Sequence, residues 1–324
     1  MAEILYDEVP SLDLADFTSG DAIRKAAFVA NLGNAYENIG FVSIKNHGLS
    51  DELVANLYGS IQKFFSMPDE VKKKYEIMEL AGQRGYISKG REKAKDHAVA
   101  DLKEFYHVGQ TVTDANDPIK KEYPDNIFPA ELPEFATYTL EAYRTLEAAG
   151  GHMLRAIALY LGLDENYFDS RVKFGNSILR PLHYFPIENP DLLPPDAVRA
   201  AAHGDINLIT LLMGASAEGL QVLRRDGKWI PITALPEQVV VNVGDMLERL
   251  TNKKLKSTIH RVVNPPREKM GTSRYSIPFF MHPRSEMDLT CLPSCVTAEN
   301  PKQFTDMTAG AFLNERLKEI GLKK

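Results

Sequence analysis

The sequence predicts an α+β fold in which helices surround a β-sandwich, and two observations carry that expectation. Up to about residue 170, apolar side chains recur every three or four positions; from Phe174 onward the period falls to two or to short β-branched runs. Turn-forming pieces at Asn189-Pro190, Gly214, Asp226-Gly227 and Asn264-Pro265-Pro266 divide the second half at the roughly 8–12-residue spacing of a sandwich or barrel.

The helical elements come first. One starts after Ser19-Gly20-Asp21, with Ile23, Ala26, Ala27 and Ala30 in helical spacing. A short strand is expected from Gly40 to Lys45. A second helix runs from Ser50, its cap, to Phe65, and Pro68 stops it. The longest helical pattern spans Pro133 to Leu161, where Gly150-Gly151 is a candidate bend. Strands are then expected at Ser177 to His183, Leu208 to Met213, Leu220 to Leu223, Gln238 to Val243, Thr258 to Val263 and Arg274 to Met281, with a last helix near Thr308 to Ile320. The charged stretch Lys89 to Asp101 offers few apolar anchors and reads as a mobile surface segment or a solvated connection.

Composition narrows the function. With 44% apolar and 25% charged residues the chain can bury a sizeable core, and 324 residues fit one large β-rich domain wrapped by helices. A formal net charge of −6 gives no general electrostatic reason to expect nucleic acid or an anionic membrane, so a small-molecule partner is expected; the oligomeric state is not legible. Met1 to Phe17 carries five acidic residues and no apolar stretch of a secretory signal, and the apolar run His152 to Leu163 is short and broken by Arg155. A cytoplasmic protein without a membrane span is expected. Cys291 and Cys295, the only cysteines, read as reduced thiols rather than a disulfide framework or a four-thiolate zinc site.

Chemistry concentrates in the second half. In His203-Gly204-Asp205 the side chains two apart project to one face of an extended backbone, and His260 lies in a strand-like segment that can pair beside them. Two imidazoles and a carboxylate on one face of an octahedron leave three positions open, the arrangement used for iron(II) that binds co-substrate and oxygen together. The bare His-x-Asp motif also arises by accident; His203 then becomes a hydrogen-bonded core histidine and His260 a strand residue facing solvent. Arg274 and Ser276 add a second signal, because they share one face of an apolar strand 14 residues beyond His260. A guanidinium fork and a hydroxyl two residues on suit the distal carboxylate of a dicarboxylic acid.

These residues make the chain resemble the isopenicillin N synthase-like iron(II)/2-oxoglutarate dioxygenases over nearly its whole length. His203, Asp205, His260, Arg274 and Ser276 meet the family pattern in order. Val241 to Asn252 and His260 to Pro265 resemble the segments around the distal histidine; Val9 to Leu14, Gly40 to Gly48 and Gly85-Tyr86 resemble the N-terminal region. His47 then closes an Asn-His-Gly turn and is not a ligand.

The resemblance implies a double-stranded β-helix (jelly-roll, cupin-like) core at 171–324, with a mainly helical region at 1–170 packed on it. It implies Fe(II) held by His203, Asp205 and His260, with 2-oxoglutarate and O2 as co-substrates. Arg274 and Ser276 would grip the far carboxylate of 2-oxoglutarate, and Tyr184 would lie beside it. The implied reaction couples oxidative decarboxylation to succinate and carbon dioxide with oxidation of a C–H bond of a small molecule. Arg84, Tyr86, Glu104, Phe105, Tyr106, His107, Asn207 and Leu208 are candidates for contact with that molecule, or else aromatic and polar packing against the core. Competing readings are an iron oxidase that does not use 2-oxoglutarate, an ethylene-forming enzyme, a zinc hydrolase, and a non-enzymatic carboxylate-binding β-sandwich. The primary substrate is not legible in the sequence.

Overall fold

A computed structural model describes residues 5–80, 82–90, 103–192, 198–214, 219–233 and 235–319. In chain order the first part forms β1 (Ser11–Asp13), α1 (Leu14–Thr18), α2 (Ala22–Asn38), β2 (Phe41–Lys45), α3 (Asp51–Phe65), α4 (Asp69–Lys72), β3 (Gly85–Ile87), β4 (Lys103–Gly109), α5 (Pro133–Tyr160) and α6 (Asp169–Val172). The second part forms β5 (Ile178–Leu179), β6 (Leu182–Tyr184), β7 (Ala200–His203), β8 (Ile209–Met213), β9 (Leu220–Leu223), β10 (Trp229–Pro231) and β11 (Val239–Val243). It continues through α7 (Asp245–Leu250), β12 (His260–Val262), β13 (Arg274–Ser276), β14 (Pro278–Met281) and α8 (Ala309–Glu319).

Helices α1, α2 and α3 start where a side chain takes up unpaired amides. Asp21 accepts from the amides of Ile23 and Arg24 at the head of α2, and Ser50 accepts from Leu53 at the head of α3. The α5 helix runs unbroken through Gly150-Gly151. Its buried face, including Tyr143, Leu146, Met153 and Ile157, lies against the outer side of the large sheet, where the Tyr143 and Phe279 rings meet edge to face at 5.0 Å. Each such large apolar side chain contributes about 1.5–3 kcal/mol when fully buried.

Two sheets form the sandwich. The larger has ten strands in the order β1-β2-β11-β8-β14-β5-β4-β6-β13, with β3 attached to β4; the smaller has the order β10-β9-β12-β7. Between them lies a second apolar layer that includes Phe41, Val240, Val222, Leu220 and Val262. This is the double-stranded β-helix that the sequence led us to expect.

Three details differ from the sequence reading. The expected strand Ser177 to His183 is two short strands, since β5 and β6 are separated at Arg180-Pro181, and Arg274 to Met281 likewise divides into β13 and β14. Proline has no amide hydrogen for a ladder bond, which breaks the first run. The N-terminal region does more than pack on the core: β1, β2, β3 and β4 all belong to the large sheet, so residue 170 divides the sequence but not the sheet. Positions 91–101 of the charged stretch lie outside the described residues.

Candidate metal centre

His203 is the last residue of β7 and His260 the first of β12, and antiparallel pairing sets them directly opposite each other. Their ring centroids are 4.5 Å apart. Asp205 sits in the turn beyond β7, where its main-chain carbonyl accepts the Asp245 amide at 2.7 Å. One ligand atom from each of the three residues falls within 4.8 Å of the others, and His260 Nε2 is 3.9 Å from Asp205 Oδ1.

Each ligand is oriented from behind. His203 Nδ1 lies 2.7 Å from the Ala201 carbonyl and His260 Nδ1 lies 3.2 Å from the Thr258 carbonyl. A carbonyl only accepts, so Nδ1 carries the proton and Nε2 keeps its lone pair for a metal. Asp205 Oδ2 accepts from Thr210 Oγ1 at 2.7 Å and from Asn242 Nδ2 at 2.8 Å, and Oδ1 remains turned toward His260.

The electrostatics agree with a cation site. Burial opposes ionisation of Asp205, yet His260, His203 and the bonds from Asn242 and Thr210 outweigh it and hold the carboxyl below its usual range. Desolvation of its ring, although the residue still presents surface to solvent, and then the neighbouring His260 hold His203 below the ordinary imidazole range. An ionised Asp205 carboxylate beside a neutral His203 imidazole suits a divalent metal. The donor set of two nitrogens and one oxygen on one side fits iron(II) with open positions for other ligands.

Strand register shows which residues share the inward face with the triad. Thr210 pairs with Phe280 and also with Asn242, so all three point inward with Asp205. Phe280 pairs with Ile178 and Phe105 pairs with Leu182, which carries the same inward face across to β4 and β6. Ser276 pairs with Leu182 and Arg274 with Tyr184, so both reach that face too. The Arg274 guanidinium carbon is 4.9 Å from the Tyr184 ring centroid, and the residue is only 9% exposed.

The other candidates divide by face. Phe105 and His107 point inward, whereas Glu104 and Tyr106 alternate to the outer side, against α3 and α5. Glu104, 1% exposed, is held by Lys72 Nζ at 2.8 Å, by His183 Nδ1 at 2.7 Å and by the Tyr86 hydroxyl, which takes up the polar atom of Tyr86 as well. Arg84, 1% exposed, lies against Gly109 and donates to the Gln83 carbonyl. Asn207 donates to the Ile209 carbonyl and to Thr210 Oγ1, behind the metal carboxylate, and Leu208 belongs to the main core. His47 bonds the Glu237 carbonyl at 2.8 Å, away from the triad. Sequence reasoning missed Thr210 and Asn242, which hold the Asp205 carboxylate. The signal was present as alternation: Asn242 is an inward polar residue in an otherwise all-valine strand.

Comparison with known proteins agrees with this geometry. Residues 9–131 match the model of the N-terminal part of non-haem dioxygenases, described for morphine synthesis, and residues 175–283 match the 2OG-Fe(II) oxygenase superfamily. Proline hydroxylase buaE of Petromyces alliaceus is 33% identical, covering 96% of this chain and 98% of its own length. A Caulobacter crescentus protein assigned to the 2OG-Fe(II) oxygenase family superposes with a TM-score of 0.86 at 43% identity, over 96% of this chain and 99% of that one. A full-length Neurospora crassa protein, solved with alpha-KG and thymine, superposes with a TM-score of 0.85 at 32% identity, over 98% and 99%. Relatives that use 2-oxoglutarate favour that co-substrate over the readings without it. Fold, triad and relatives together place this chain in the iron(II)- and 2-oxoglutarate-dependent oxygenase family.

Proposed function

We propose that His203, Asp205 and His260 bind the iron of this oxygenase, that Arg274 and Ser276 grip the distal carboxylate of 2-oxoglutarate, and that Tyr184 packs beside it. The observation that carries this assignment is the convergence of the three ligand atoms on the inward face that Arg274 and Ser276 share. When bound, iron(II) with 2-oxoglutarate and O2 supplies the oxidising power, with succinate and carbon dioxide released as a small-molecule C–H bond is oxidised.

The chain's own residues supply position and shielding. The Ala201 and Thr258 carbonyls fix the imidazole tautomers, and Thr210 with Asn242 fixes the carboxylate. The Arg274 guanidinium, buried beside Tyr184, offers parallel N–H donors to one carboxylate, and the Ser276 hydroxyl adds a donor from the same face. Phe41, whose ring meets His260 at 5.6 Å, and the apolar layer around it limit water at the reacting centre. Among the sequence candidates Phe105 shares the inward face of Arg274 and Ser276. No described helix is long and apolar enough to cross a membrane. A cytosolic location is part of this proposal, supported by the unpaired state of Cys291 and Cys295.

Succinate release under air with iron(II) and ascorbate tests the assignment. His203→Ala and Asp205→Ala are expected to abolish 2-oxoglutarate turnover. Arg274→Ala is expected chiefly to weaken 2-oxoglutarate binding, by about tenfold or more. Normal turnover in either metal-ligand variant would refute the triad.

A further inference from the structure

Arg274 and Ser276 stand on a strand with little support of its own. β13 is three residues long and lies at the end of the large sheet, where β6 is its strand neighbour among the described residues. An edge strand of that length is paired on one side only, so its placement depends on what its side chains meet.

The outer face of the sheet supplies that hold. Register sets Glu104 of β4 beside His183 of β6, and His183 beside Tyr275 of β13, in one row across three strands. Arg274 and Ser276 alternate to the other face. Glu104 is ionised, since its bonds with His183, Lys72 and Tyr86 outweigh burial, and it accepts from His183 Nδ1–H at 2.7 Å. On the far edge of the ring, Nε2 and the Ser273 hydroxyl share a hydrogen bond at 2.9 Å. The imidazole is stacked on the Tyr275 ring, with centroids 4.9 Å apart and planes at 14°, and the Phe65 ring also packs against it at 5.6 Å. His183 thus engages Ser273 and Tyr275, the residues on either side of Arg274.

Stability alone does not account for this network. Burying the Glu104 carboxylate with the Lys72 ammonium gains little over apolar side chains of similar volume. What the carboxylate supplies is direction, because it fixes the tautomer and plane of the imidazole that donates to it. Resting on the assignment of Arg274 and Ser276 above, we propose that His183 is a positioning residue for the co-substrate. Oriented by Glu104, it clamps Ser273 and Tyr275 onto β6, so that Arg274 and Ser276 meet the distal carboxylate together. It acts from the outer face, through the strand that carries them.

The test is anaerobic calorimetry on the full chain loaded with iron(II), comparing 2-oxoglutarate with 2-oxobutanoate, which has the same keto-acid head and no distal carboxylate. The readout is the ratio of the two affinities, because loosening of the fold or of the metal site would weaken both acids alike. Ser273 is exposed, so S273A removes the hydroxyl without opening the core, and it is expected to lower the preference for 2-oxoglutarate about three- to tenfold. H183N keeps an amide near the place of Nδ1, toward Glu104, whereas H183Q keeps one near the place of Nε2, toward Ser273. H183N is expected to lower the preference at least as far as S273A does, and H183Q to retain more of it than H183N. Wild-type preference in both S273A and H183N, an equal loss of both acids in the two variants, or a greater loss in H183Q than in H183N would each overturn the positioning role. A wild type that binds the two acids equally would overturn the assignment of Arg274 and Ser276 and this inference with it, so the two failures are told apart.

Discussion

Asp205 shows how much a single ligand depends on residues that never touch a metal. Its Oδ2 is held by Thr210 and Asn242, both buried, so removing either donor loosens the carboxylate and leaves it a fuller share of its burial cost. Thr210→Val and Asn242→Leu are each expected to weaken iron(II) affinity by about 10–100-fold with little change in fold, measured by anaerobic metal titration. Glu104 gives a contrasting case. Burial opposes its ionisation, but His183, Lys72 and Tyr86 together hold it below the usual glutamate range. Its contribution to stability is therefore complete above that range and is lost as pH falls through the lower folded-state value. Glu104→Gln leaves the buried Lys72 ammonium, which is 4% exposed, with only the exposed Asp69 carboxylate at 3.2 Å and the Phe65 carbonyl at 3.3 Å, and is expected to cost about 1.5–3 kcal/mol near neutral pH. Urea melts at several pH values check both points, because the variant should also lose the acid-side fall in stability that this group causes.

Elements decide which residues meet, and here the sequence was unevenly informative. The convergence of His203, Asp205 and His260 and the shared face of Arg274 and Ser276 were legible because side chains two apart on an extended backbone share a face whatever the neighbouring strands do. Phe105 and Glu104 could not be separated by sequence alone. They are adjacent in a seven-residue strand that is buried on both sides, so no polar-apolar alternation marks which side faces the cavity. The long helix was legible from its periodicity, whereas β3, β7 and β10 are too short to show a period. At the α7 N-cap the fit is tight for a reason that spacing does not reveal. A β-carbon on Gly244 would stand 2.3 Å from the Asn207 carbonyl oxygen, in the turn that carries Asp205. Since the obstacle is backbone, Gly244→Ala must shift that turn. It is expected to cost about 1–3 kcal/mol and to lower iron affinity as well, seen as a thermal shift together with a weakened metal titration.

At the scale of the whole molecule the metal site joins the two sheets. His203 and His260 belong to the small sheet, while Asp205 is fastened by Thr210 and Asn242 to β8 and β11 of the large one. The large sheet has α5 packed on its outer side and an extensive apolar core behind it. The small sheet has four strands, and the apolar layer beneath it is the smaller cluster that includes Val222, Leu220 and Val262. A divalent ion bridging the two therefore adds most where packing adds least. Ligand that binds only the folded state stabilises by about 2.7 kcal/mol at a hundred times its dissociation constant, so iron(II) should raise the melting temperature in a concentration-dependent way. The gain should also be local. Amide exchange in β7, β9 and β12 is expected to slow on adding iron(II) under anaerobic conditions, while β8, β11 and β14 change little. In His203→Ala both the thermal shift and the local protection should largely vanish, because the remaining two ligands still reach an ion but the β7 end of the bridge is gone. Uniform protection across both sheets would mean that the ion stabilises the fold as a whole and not as a bridge between its layers.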